Sequence, residues 1–90
     1  MNHETYYSIF DVCRPIMEEN KEIKAGTAIE AVKKYLASIG EGKGKPKPSA
    51  ENNVRIKAEP FYIKDGTKFR HPSKRSVWYK VETQQNNLID

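Results

Sequence analysis

Gly26-Thr27-Ala28-Ile29-Glu30-Ala31-Val32-Lys33-Lys34-Tyr35-Leu36-Ala37-Ser38-Ile39-Gly40 is the stretch that decides the fold. Thr27 followed three residues later by Glu30 has the form of a capping box. The Thr27 hydroxyl accepts from the backbone N–H of Glu30, and the Glu30 carboxylate reaches back to the N–H of Thr27. Apolar residues then recur at Ala28, Val32, Tyr35, Leu36 and Ile39, the spacing of one helical stripe, while Lys33, Lys34 and Ser38 fall off it. Gly40 stands where a C′ glycine closes a helix. The spacing therefore predicts a helix over 28–39, with one apolar face that must be buried against something else in the chain.

Working outward, the other apolar segments read as strands. Tyr6 to Val12 is aromatic and β-branched, without Gly or Pro. One face carries Tyr6, Ser8, Phe10 and Val12, the other Tyr7, Ile9, Asp11 and Cys13; with both faces partly apolar, an interior strand is expected. Pro15 ends or bends it, since proline donates nothing to a ladder, and Ile16 and Met17 are expected to continue it after a bulge. Glu18 to Lys21 reads as a turn and Glu22 to Ala25 as a short returning strand. Beyond the helix, residues 40–53 are rich in Gly, Lys and Pro and hold no large apolar residue, so a flexible linker or long loop is expected there.

The remaining third has the pattern of a meander. Val54, Ile56 and Ala58 alternate with Arg55, Lys57 and Glu59, as in a half-buried strand. Pro60 predicts a bulge or bend, after which Phe61-Tyr62-Ile63 resumes. Asp65-Gly66 is a two-residue hairpin turn, because both central positions of that turn require positive φ. Thr67 to Arg70 returns, residues 71–75 form a basic loop, and Val77, Tyr79 and Val81 alternate with Trp78, Lys80 and Glu82 in a last strand. Residues 84–90 are polar and expected to fray. One helix and three to five antiparallel strands make a small two-layer α+β sandwich, a single domain over 1–90. If Val77, Tyr79 and Val81 face the helix, Trp78 stands on the other, open sheet face.

The run Ile23 to Val32 resembles the strand-to-helix transition of small antitoxins with a partial ribonuclease-H-like sheet, and that of small ribosomal-type α+β domains. The likeness covers ten residues and implies helix capping; no functional residue is carried over from it.

Composition narrows the classes. Ninety residues make one domain at most. With 37% hydrophobic residues against 31% charged, the chain has enough apolar side chains to fold and no run that spans a membrane. No basic-then-apolar leader is read at the start of the sequence and the one cysteine, Cys13, has no partner, so a cytoplasmic protein is expected; from the small size alone, one of a bacterium, phage or mobile element is expected. Residues 1–42 carry five basic and seven acidic groups and residues 43–90 eleven basic and five acidic. That split predicts a polarised surface, if the halves face different ways, and a basic surface favours an anionic partner.

Chemistry-bearing constellations are few. The window from Lys64 to Lys80 sets Lys64, Lys68, Arg70, His71, Lys74, Arg75, Trp78 and Lys80 against a single acid, Asp65, with Phe69 and Tyr79 interleaved. Cations for phosphates and rings for bases are what a single-strand or RNA platform needs. No recognised nucleic-acid signature accompanies them. Cys13, His3 and His71 lack metal-ligand spacing, so neither metal nor cofactor is expected. Gly40, Gly42 and Gly44 lack the strand and helix that a phosphate-cradling loop requires. Asp11, if buried, needs a partner, and Arg14 is near in sequence. The expectation is a non-enzymatic binding or adaptor protein presenting the open sheet face and the 64–80 hairpin region to a macromolecule. A protein partner is expected first, and association into a homodimer is compatible with the small size. The alternatives are direct binding of RNA or single-stranded DNA, and a small enzyme or enzyme subunit using Cys13 or His71.

Overall fold

The computed structural model describes residues 4–14 and 21–82. In chain order they form β1 (Thr5–Asp11), β2 (Lys21–Lys24), α1 (Ala28–Ser38), β3 (Lys45–Ser49), β4 (Ile56–Lys64), β5 (Thr67–Arg70) and β6 (Val77–Glu82). All strand pairs are antiparallel. The order across the sheet is β2-β1-β4-β6-β3, with β5 paired to β4 beside β6. The α+β class read from the sequence holds, with six strands rather than three to five. The continuation expected at Ile16 and Met17, the turn at 18–20 and the tail at 84–90 lie outside the described residues.

The helix forms where its caps place it. Thr27 Oγ1 accepts from the N–H of Glu30 at 3.2 Å, as a capping box requires. The Glu30 carboxylate accepts instead from the N–H of Gly26, at 2.9 Å, one residue earlier than expected. At the far end Gly40 takes φ +82°, the N–H of Glu41 donates to Leu36 O at 2.8 Å and that of Gly40 to Ala37 O at 3.3 Å, a Schellman closure. The helix packs on β1, β2, β3 and β4. Its buried residues are Ala31, Val32, Tyr35 and Leu36, set against Tyr7 and Ile9 of β1, Ile56 and Ala58 of β4 and Tyr79 of β6. Fully burying a side chain such as Leu36 contributes about 2 kcal/mol. Ala28 and Ile39 only flank this core, whereas Ala31 is fully inside it.

Residues 40–53, expected as a flexible loop, hold a strand. β3 carries Pro46 and Pro48 and, among the described residues, pairs only with β6, at the sheet edge. Prolines two residues apart put both missing N–H groups on the same side of the strand, and an edge strand has one side that needs no donors. Pro46 is buried, opposite Val81. The composition that argued for a linker is thus that of a proline-protected edge.

Pro60 makes no break either: β4 runs through it, with Pro60 opposite Tyr7. On the other side of β4, β6 pairs with Ile56–Ala58 and β5 with Phe61–Lys64, so Pro60 falls where that edge passes from one partner to the next. A residue without an N–H is tolerated there because no ladder bond is asked of it. The Asp65-Gly66 turn forms as read, with φ of 53° and 78°.

Candidate functional site

The register assigns every strand residue to one of two faces. Tyr7, Ile9, Asp11, Ile56, Ala58, Val77 and Tyr79 face the helix. Tyr6, Ser8, Phe10, Lys57, Glu59, Phe61 and Trp78 therefore stand on the opposite face, which no described element covers. The same parity adds Glu22 and Lys24 from β2, Lys45 and Lys47 from β3, Lys68 and Arg70 from β5, and Lys80 and Glu82 from β6. The open face so carries seven basic and three acidic side chains around four aromatic rings.

Two cross-strand rows organise it. Phe10, Lys57, Trp78 and Ser49 lie side by side across β1, β4, β6 and β3. Phe10 is 44% exposed, and its ring meets Trp78 edge-on at 6.3 Å. The second row is Lys24, Tyr6, Phe61 and Arg70. Tyr6 stacks on Phe61 at 5.7 Å and the Lys68 ammonium sits 5.1 Å from the Phe61 centroid, so Phe61 is only 7% exposed. Four residues of β1 separate the rows, about 13 Å. Surface ion pairs join Lys68 to Glu22, Arg70 to Glu59 (3.9 Å), Lys47 to Glu82 (3.1 Å) and Lys80 to Glu51 (3.7 Å). Exposed pairs of this kind are worth little and yield readily to a competing anion. Lys45 and Lys57 make no ion pair among the described residues.

The change of partner along β4 leaves a notch between β5 and β6, a cleft of about 400 Å3 bordered by Lys57, Glu59, Arg70, His71, Lys74 and Arg75. The basic window predicted from the sequence is thus divided. Lys68, Arg70, Trp78 and Lys80 stand on the open face, and Arg70, His71, Lys74 and Arg75 line the notch. Lys74 turns toward the helix side, its Nζ donating to Gly26 O at 3.2 Å, and His71 meets the Tyr62 ring edge-on at 6.2 Å. Lys64, two residues from Tyr62, belongs to the helix side of the hairpin and not to the open face. Sequence reading missed Phe10 and Lys57, which only the pairing register brings beside Trp78; Lys45 and Lys47, in the segment expected as a flexible loop, are fixed by β3 on the same face, opposite Glu82 and Lys80. It also placed the charge by chain half; with β1 and β4 neighbours in one sheet, the positive excess is organised by sheet face instead.

The other polar cluster is internal. Asp11, 4% exposed, receives the Tyr35 hydroxyl (2.7 Å), the Cys13 N–H (2.9 Å) and the Arg55 guanidinium (3.3 and 3.4 Å). Arg55 also grips Glu41 with two bonds of 2.9 and 3.0 Å. Arg14, the expected partner, lies instead 3.9 Å from Glu41 at the surface. Burial pushes the Asp11 carboxyl up, but the bonds from Tyr35, Arg55 and Cys13 outweigh it and hold the group below its ordinary range. Burial and then the Asp11 bond push the Tyr35 phenol up; the hydrogen bond to Arg55 brings Glu41 down. No buried side-chain polar atom lacks a partner among the described residues. Cys13 is exposed. It follows the end of β1, whereas His71 follows Arg70 at the level of Tyr6, so at least about 13 Å of strand and two strand spacings separate thiol and imidazole. Among the described residues no acidic, thiol and imidazole side chains cluster as metal ligands, and no helix is long and apolar enough to cross a membrane.

No protein-family model, curated protein or solved structure matches the chain.

Proposed function

We propose that this protein is a non-enzymatic binding module whose working surface is the open face of its sheet. The observation that carries the reading is the row Phe10–Lys57–Trp78, where two aromatic rings and a cation without an ion-pair partner among the described residues lie side by side on a face that no described element covers, Phe10 exposed and Lys57 and Trp78 half-buried. None of the three belongs to the core cluster under the helix. Large rings left on a surface mark a contact site. The division of chemistry supports the non-enzymatic part: the buried carboxylate of Asp11 is saturated by donors, and Cys13 and His71 are held apart. The test is retention of a partner from a cell extract by the tagged protein and by a Phe10→Ala, Trp78→Ala double variant. A folded double variant that loses what the unaltered protein retains supports the reading; equal retention by both overturns it.

A further inference from the structure

We infer that the occupant of the open face is a single-stranded nucleic acid, its bases stacked on Phe10 and Trp78 and its backbone led into the notch between β5 and β6. The inference rests on the open face being the working surface and names the chemistry that fits it. A nucleic acid strand offers one negative charge per nucleotide and a planar ring beside each. The open face offers the complement: cations in excess of acids by seven to three, and rings within the same rows as the cations. The three acids face Lys68, Arg70 and Lys47, and Glu4 and Glu51 face Lys24 and Lys80, which leaves Lys45 and Lys57 as the cations best placed for phosphate. Lys57 lies between Phe10 and Trp78 in the row and also borders the notch, so the stacking surface and the basic cleft are one continuous surface. Within the cleft Arg70, Lys74 and Arg75 oppose only Glu59.

The rings favour a single strand over a duplex, because a duplex hides the base faces that Phe10 and Trp78 would stack on. They also favour nucleic acid over an acidic polypeptide, which would satisfy the lysines and leave the ring faces without planar partners.

Trp78 is the only tryptophan of the chain, so its emission reports on this surface alone. The experiment titrates the protein into labelled short mixed-sequence single-stranded RNA, single-stranded DNA, the matching duplex and polyglutamate, at low and at physiological salt, reading anisotropy and Trp78 emission together. Single strands are expected to bind and to quench Trp78, with affinity falling as salt rises by about 0.7 logarithmic units per decade for each phosphate contacted. Trp78→Ala is expected to weaken single-strand binding roughly tenfold or more. Lys57→Glu weakens it for all sequences and lowers the salt slope, and so does Lys45→Ala, a change at an exposed position. No binding of any single strand at low salt overturns the inference; open-face-dependent retention from extract would then still stand. Duplex binding as tight as single-strand binding without quenching overturns it as well, as does polyglutamate binding that exceeds both. Binding indifferent to Trp78→Ala, Lys57→Glu and Lys45→Ala places the strand elsewhere and overturns this inference, while the reading beneath it is decided separately by whether retention from extract depends on Phe10 and Trp78.

Discussion

Asp11 ends β1 inside the molecule, and a carboxylate there is tolerable only because three different parts of the chain donate to it. Tyr35 comes from the helix, Arg55 from the segment before β4 and the N–H of Cys13 from the turn after β1. Removing one member of such a buried set leaves the others unpaired, which costs more than the set contributes in sum. Asp11→Asn is therefore expected to destabilise the protein by about 2–3 kcal/mol, with Glu41 still partnering Arg55, and to lower Tm by roughly 10–20 °C. The pH dependence follows from the direction of the shifts. Asp11 and Glu41 titrate below their ordinary values in the folded protein, so their contribution is complete above the ordinary carboxylate range and is lost as pH falls through the lowered values. Thermal melts from neutral pH down to about pH 2 should show stability falling steeply below about pH 4, and Asp11→Asn should flatten that limb. An unchanged acid limb in the variant would remove Asp11 as its source. The Tyr35 phenol is raised, so its contribution is complete below the ordinary tyrosine range and lost as pH climbs beyond it. Tyr35→Phe should soften the alkaline limb, which Tyr79, raised by burial, still shares.

The elements differ in how their ends are secured. The helix is closed by side chains and backbone that its own sequence supplies, so Thr27→Ala is expected to cost about 1 kcal/mol, read as a shift in the denaturant midpoint. The passage from α1 to β3 depends on a neighbour remote in sequence: a Cβ on Gly44 would lie 2.7 Å from Val81 Cγ1 and 3.2 Å from Glu41 O. Gly44→Ala should cost about 1–3 kcal/mol, more than its solvent-side appearance in the sequence suggests; a neutral result would show that β6 yields there freely. β3 is protected by Pro46 and Pro48 on its outer side. Restoring donors with Pro46→Thr and Pro48→Thr should leave the chain folded and make it self-associate through that edge, visible as a concentration-dependent rise in sedimentation coefficient. A double variant as monomeric as the parent would show that the prolines do not guard the edge.

Across the whole molecule, core and working surface lie on opposite faces of one sheet, and this separates their mutational effects. Leu36→Ala, on the helix side, should cost about 2–5 kcal/mol, a large share of the roughly 5–13 kcal/mol expected for a chain of this length. Phe10→Ala with Trp78→Ala should cost far less in Tm while abolishing retention of the partner. A double variant that melts as early as Leu36→Ala would show the rings to be structural.

Helix, hairpin turn and strand alternation are local properties. The caps at Thr27 and Gly40, the positive-φ pair Asp65-Gly66 and the period-two runs of β1 and β6 could be read from neighbours alone, because the groups that satisfy them lie within a few residues. The placement of Trp78 opposite the helix was likewise legible, since alternation decides faces once one residue is anchored. Three things depended on contacts remote in the chain. Lys45–Ser49 looks like a linker until β6 provides a ladder on one side only, which is the condition under which alternate prolines can sit in a strand. Asp11 finds Arg55 at a separation of 44 residues, and no local rule prefers it to the nearby Arg14. The row Phe10–Lys57–Trp78 exists only by register, because its members come from three strands, and the order of strands in a sheet is chosen by which hydrophobic faces pack together under the helix.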